Sequence, residues 1–151
     1  MPRVEPHRLA DYPHHQQITT RWMDNDAYGH VNNVHFLSYF DTVVNTYLIG
    51  RGALDIQKSP VIGLVVETQC QYLAPLTYPE TITAGLRVAH IGRSSVRYEI
   101  GMFAEGSDQT AAIGHFVHVY VDRETRRPVP ELPAGLRAAL EPLRVALAQP
   151  T

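Results

Sequence analysis

Residues 21–41 read Arg-Trp-Met-Asp-Asn-Asp-Ala-Tyr-Gly-His-Val-Asn-Asn-Val-His-Phe-Leu-Ser-Tyr-Phe-Asp. Two acids, Asp24 and Asp26, a Tyr28-Gly29-His30 turn and the pair Asn32-Asn33 stand directly ahead of a change in hydrophobic period. From Asn32 onward, Phe36, Phe40, Val43, Val44 and Tyr47 fall at i, i+4, i+7, i+8 and i+11. That spacing is one face of an amphipathic helix, with Ser38, Asp41 and Asn45 on the other. Asn32 or Asn33 suits the N-cap, because its side chain accepts from an amide of the first turn. Gly50 is the expected C′ residue. A helix start offers unpaired N–H groups and a partial positive charge. Asp26 lies seven residues before Asn33, in the first turn. A carboxylate beside such donors suits attack on a carbonyl whose developing oxyanion the N–H groups hold.

Working outward, residues 1–15 read as an irregular leader, Gln17–Trp22 as a short strand, and Met23–Val31 as a loop rich in turn-forming residues. Beyond Pro60 the period drops to two. Ile62, Leu64, Val66, Thr68, Cys70 and Tyr72 share one expected face, with Gly63, Val65, Glu67, Gln69 and Gln71 on the other. Residues 81–91 alternate with Ile82, Ala84, Leu86 and Val88 in phase. Residues 95–104 do so with Val96, Tyr98, Ile100 and Met102. Residues 110–122 alternate with Ala111, Ile113, His115, Val117, Val119 and Val121 in register. Gly92-Arg93-Ser94 and Gly106-Ser107-Asp108 supply the turns, so these strands form an antiparallel meander. Residues 133–147 read as a helix weakened by Pro142. The order predicts an α+β domain over residues 1–151, a sheet of about five strands with one face covered by the long helix. The second face, with Gln69, Gln71, Arg87 and Arg97, is too polar for another core and meets water or a further subunit.

The bulk numbers exclude several classes. At 44% hydrophobic the 151 residues can bury a core, and a net charge of −2 argues against nucleic acid as a partner. The lone Cys70 rules out an internal disulfide and reads as core filler. No run of ~18 apolar residues predicts a membrane span, and the polar N-terminal stretch carries no signal-peptide core. A cytoplasmic setting is the expectation. The eight histidines do not assemble a metal site at the level of spacing. His30 and His35 are about 140° apart on a helix, and His115 and His118 fall on opposite faces of a strand. No HExxH, CxxC or GxSxG occurs.

The DxD-x-x-GHVNN segment with its Phe/Tyr-rich helix resembles the hotdog-fold thioesterases, and within them the 4-hydroxybenzoyl-CoA thioesterase branch and its acyl-CoA thioester hydrolase relatives. QYLAPLTYPETI and HIGRSSVRYEI add weaker matches, so the resemblance spans about residues 17–122. It implies a curved antiparallel sheet wrapped around one helix. It also implies dimers paired edge to edge, often joined into tetramers, with active sites at the dimer interface. The family aspartate falls on Asp26, its backbone donor at or near Asn33, and its glycine on Gly29. A hairpin that contacts coenzyme A falls on Arg93, Ser94 and Ser95. Tyr78-Pro79-Glu80 departs from the branch at a turn, and Asp41 does not match the helix glutamate that another branch uses. The implied activity is hydrolysis of acyl-CoA, with Asp26 as general base or as nucleophile. His30 and the Asn32 and Asn33 amides orient water, the loop or Asp26. No cofactor is implied beyond the coenzyme A of the substrate. The rivals are a non-catalytic acyl-CoA binding module and a hotdog hydratase or dehydratase.

Overall fold

The computed structural model describes residues 4–145. Its elements are β1 (His14–Thr19), α1 (Asn33–Gly50), β2 (Val61–Tyr72), β3 (Thr81–Ile91), β4 (Ser95–Phe103), β5 (Thr110–Asp122) and α2 (Ala134–Leu140). Short 3-10 turns occupy Leu9–Asp11, Trp22–Asp24 and Glu141–Leu143. The strands form one antiparallel five-stranded sheet in the order β1-β3-β4-β5-β2, and α1 lies across one face of it. This is the hotdog arrangement that the resemblance implies.

The long helix follows its sequence pattern. Asn32 is the N-cap, its side-chain oxygen accepting the Val34 N–H at 3.1 Å. Phe36, Phe40, Val43, Val44 and Tyr47 are buried, joined by Tyr39 and Leu48. The C-terminal glycine is Gly52 rather than Gly50. Gly52 has φ +72°, its N–H donates to Ile49, and the Ala53 N–H donates to Leu48. That is a Schellman closure, which needs the left-handed conformation one residue past the cap Arg51.

The sheet meets the helix through Ile82, Ala84, Leu86 and Val88 of β3 and Val96, Tyr98, Ile100 and Met102 of β4, all fully buried. On β5 the expectation is corrected. Register pairs Tyr98 with Phe116, Ile100 with Gly114 and Met102 with Ala112, so the even-numbered residues face the helix. Phe40 packs onto the bare Gly114 and lies 6.3 Å from the Phe116 ring. Both faces of this strand are apolar enough to pass for a core face, and the partner strand decides between them.

On β2 a bulge between Val65 and Glu67 splits the expected face. Thr68, Cys70 and Tyr72 pair with Phe116, Gly114 and Ala112 and turn toward the helix. Before the bulge, Gly63 and Val65 pair with Tyr120 and His118, so Ile62 and Leu64 turn outward. One extra residue in the ladder exchanges the two faces.

The N-terminal stretch is more ordered than an irregular leader. β1 begins at His14, pairs with β3 and ends at Thr19, where the sequence reading has Gln17–Trp22. Tyr12 is buried on the sheet face away from the helix, over Gly85 and Gly101. A Cβ on either glycine would come within 2.6 or 2.7 Å of its ring. The Arg87 guanidinium sits 4.8 Å from the ring centroid, and the hydroxyl bonds His7 Nδ1 at 2.7 Å. The C-terminal helix is shorter than expected. It stops at Leu140, and Pro142 lies in the 3-10 turn that follows, since proline lacks the N–H that would continue the ladder. Residues 146 and 147 of the expected helix lie outside the described residues. No helix among those described is long and apolar enough to cross a membrane.

Candidate active site

The loop between β1 and α1 is built on Asp24, which is 0% exposed. Its carboxylate accepts the Tyr39 hydroxyl at 2.7 Å, the Arg21 N–H at 2.9 Å and Arg21 Nε at 3.0 Å. Burial alone raises its pKa. The bonds from Tyr39 and Arg21 outweigh that and hold it below the usual carboxylate value. The Asp24 carbonyl accepts the Asn32 N–H at 2.8 Å, which ties this anchor to the helix cap. Asp24 is therefore the anchor of the loop and not a free acid.

Asp26 follows two residues later in a tight turn. Its N–H donates to the His30 carbonyl at 2.9 Å, and its carbonyl accepts the Gly29 N–H at 3.1 Å. Gly29 has φ +81°, a conformation that glycine adopts without strain. The loop is pinned to the β2–β3 connection by the Val31 N–H on Leu76, at 2.7 Å, and the Tyr78 N–H on Asn25 Oδ1, at 3.0 Å. Asp26 Oδ1 accepts the Tyr28 N–H at 2.8 Å. Among the described residues Oδ2 has no partner.

Asp26, His30 and Asn33 line one cleft of about 440 Å³, floored by Phe36, Tyr72 and the Leu73–Leu76 segment. The Asn33 N–H opens the first turn of α1 and has no acceptor among the described residues. Tyr72 meets Phe36 edge-on at 5.0 Å, and its hydroxyl reaches the Asn33 carbonyl at 3.4 Å. The cleft is therefore lined by a carboxylate residue, the first residue of a helix and an apolar wall. His30 is exposed at the rim. Asn32 caps the helix, and Gly29 shapes the turn without lining the cleft.

Arg93, Ser94 and Ser95 lie elsewhere in the chain. Ser95 pairs with Val119 and Tyr72 with Ala112, seven residues apart on β5. At a rise of ~3.3 Å per residue that is about 23 Å. Arg93 lines a separate cleft with Glu131 and Arg137. Two aromatic residues, Phe36 and Tyr72, line the cleft. Tyr39 is turned onto Asp24, Tyr98 is in the core and Tyr28 is exposed. Val31 and Ala74-Pro75-Leu76 complete the cleft, and no periodic signal marks them in advance, because they belong to loops.

A single helix laid across a sheet of this strand order, with an acid loop ahead of the helix start, defines a hotdog-fold protein of the thioesterase kind. Residues 20–140 match the model of the thioesterase-like superfamily, and the chain belongs to that family. It is similar to the PA5185 protein of Pseudomonas aeruginosa strain PAO1, at 52% identity over 95% of this chain and 99% of that one, with a TM-score of 0.91. A thioesterase of Thermus thermophilus, in complex with coenzyme A and Zn, is 30% identical over 87% of this chain and 94% of that one, with a TM-score of 0.71. The uncharacterised protein YsmA of Bacillus subtilis (strain 168) is 26% identical over 75% of this chain and 76% of its own length.

Proposed function

We propose that this protein hydrolyses acyl-CoA thioesters to the free acid and coenzyme A. The observation that carries the reading is the shared cleft, where Asp26 Oδ2 and the Asn33 N–H are both without partners among the described residues. A thioester carbonyl is electrophilic and its thiolate leaves readily, so a positioned carboxylate and an oxyanion donor suffice. In one route Asp26 takes a proton from water as the water oxygen bonds to the carbonyl carbon. In the other Asp26 bonds to that carbon itself and water then cleaves the mixed anhydride. In both, the carbonyl oxygen gains charge opposite the Asn33 N–H, the C–S bond breaks, and the coenzyme leaves as a thiolate that takes up a proton. Gly29 holds the turn that presents Asp26, and His30 and the Asn32 and Asn33 side chains orient water at the rim. The chemistry calls on no cofactor beyond the coenzyme A of the substrate. The coenzyme A complex of the Thermus relative supports that substrate class.

The reading includes a homo-oligomer. β2 is a twelve-residue edge strand carrying exposed Val65 and Val66. A bare edge of that length is a template for pairing with a second copy. Such pairing supports an interface site, to which the other chain's Arg93, Ser94 and Ser95 contribute coenzyme contacts. Cys70, the lone cysteine, is free, which is compatible with a reducing cytoplasm.

The test is release of free thiol from short, medium, long and aromatic acyl-CoAs, by wild type and Asp26→Asn. Turnover that falls ~10²-fold or more in the variant is the expected result, the usual scale for a general base. No turnover on any substrate, from folded protein, would leave a binding module as the better reading. Turnover untouched by the substitution would move the site away from Asp26.

A further inference from the structure

The sheet face opposite α1 carries a second cleft, of about 300 Å³, lined by His7, Gln69, Gln71, Arg87, Arg97 and His115 among others. Its floor is an Arg–Glu–Arg triad. Glu99 Oε1 accepts Arg87 Nε at 2.8 Å, and Oε2 accepts Arg97 Nε at 3.3 Å. One carboxylate thus serves two guanidinium groups. The Arg87 and Glu99 side chains are only 10% and 13% exposed, and Arg97 is 41% exposed. A net positive charge held partly away from water is costly unless a counter-charge meets it.

Neighbouring groups do not supply that charge inside the cleft. Arg97 Nη2 lies 3.3 Å from His115 Nδ1. A guanidinium can only donate, so Nδ1 accepts and the ring proton sits on Nε2. Nε2 then donates to Glu67 Oε2 at 2.8 Å. His115 is neutral in this arrangement, and Glu67 is spent on it at the exposed edge of the sheet, 59% open to solvent. Arg87 also donates to the Asp11 carbonyl at 3.2 Å, a neutral acceptor. Each guanidinium keeps N–H groups unused among the described residues, and the Gln69 and Gln71 side-chain amides have no partner there either. Donors outnumber acceptors, and the triad's charge is positive.

We propose that this outer cleft binds a small oxyanion, a carboxylate or a phosphate, with Arg97 and Arg87 as the charged donors and Gln69 and Gln71 as neutral ones. Charge-assisted bonds from a guanidinium to such a group are the strong class of hydrogen bond. The site is separate from the Asp26 cleft, because Gln71 and Tyr72 point to opposite faces of β2. It stands whether or not the chain hydrolyses acyl-CoA.

The test is titration of the full chain with benzoate and, separately, inorganic phosphate, followed by the side-chain amide signals of Gln69 and Gln71 in ¹H–¹⁵N spectra. Saturable shifts are expected with at least one anion, and which anion acts names the source. Affinity should fall tenfold or more in Arg97→Gln and stay at wild type in Arg127→Gln, an exposed arginine outside both clefts, with the fold checked by circular dichroism. Gln71→Leu, on the exposed face, provides a second variant and should weaken binding severalfold. Absence of a saturable response to either anion, or equal response in wild type, Arg97→Gln and Gln71→Leu, overturns the proposal. Thiol release by Arg97→Gln, measured in parallel, tells loss of this site from loss of the Asp26 cleft.

Discussion

Replacing Tyr39 by Phe removes one oxygen and nothing else. The ring keeps its place on the buried face of α1, so no cavity opens. What is lost is the 2.7 Å bond from the Tyr39 hydroxyl to the fully buried carboxylate of Asp24. A hydrogen bond to a charged acceptor is worth ~1.5–3 kcal/mol net. For a chain of this size, ~2–4 °C of midpoint per kcal/mol converts that to a fall of about 3–12 °C in Tm. The pH dependence has a definite sign. Asp24 titrates below the ordinary carboxylate value when folded, so its stabilising effect is complete above the unfolded pKa. That effect is lost as pH falls through the folded pKa. Tyr39→Phe brings the folded value up, so its penalty should be full at pH 7 and shrink once the pH is acid enough to protonate Asp24 in both proteins. Urea unfolding at pH 7 and near pH 3, with the slope checked for constancy, measures both quantities. A penalty under about 0.5 kcal/mol at pH 7, against the range above, or one equal at both pH values, would refute the account of the loop as anchored on an ionised Asp24. Because the Asp24 carbonyl also ties down the Asn32 N–H, thiol release should fall with the loosened helix start.

Phe40→Ala should cost ~3–5 kcal/mol in the same unfolding assay, since its ring is fully buried over Gly114 and beside Phe116. His118 is buried with Nε2 unpartnered among the described residues, and burial lowers its pKa from 6.5 to about 4. The unfolded chain therefore takes up the proton first, and stability should fall by up to about 3 kcal/mol as pH drops from about 6.5 toward 4. His118→Phe should flatten that part of the profile, read as denaturant midpoints between pH 7.5 and 5. A profile unchanged by the substitution would assign the loss to other groups.

Local rules located most of what depends on neighbours in the chain, although they put the helix-ending glycine at Gly50 in place of Gly52 and began β1 three residues late. The i, i+4, i+7 spacing from Phe36 to Tyr47 located the helix, and Asn32 its first turn, because caps and periodicity are short-range physics. Strands β3 and β5 were bounded to the residue by their alternation, and the acid loop announced itself by composition. The β5 core face was decided by register with β4, a contact between distant residues that alternation alone cannot express. The β2 bulge exchanged Ile62 and Leu64 for Gly63 and Val65 on the helix side, although the sequence alternation runs on without a mark. Tyr12 found its seat because Gly85 and Gly101 are cross-strand partners that leave a bare patch, which is visible only once the strands are paired. The same holds for function. Residue types and turn chemistry marked the acid loop ahead of the helix, and the family resemblance placed the site on Asp26, Gly29 and Asn33. Only the folded chain put Asp26 and Asn33 in one cleft with Tyr72 and Leu76 and set Arg93 in a separate cleft with Glu131 and Arg137. Chemistry is written in residue identity, but proximity arises from long-range packing, and a site needs both.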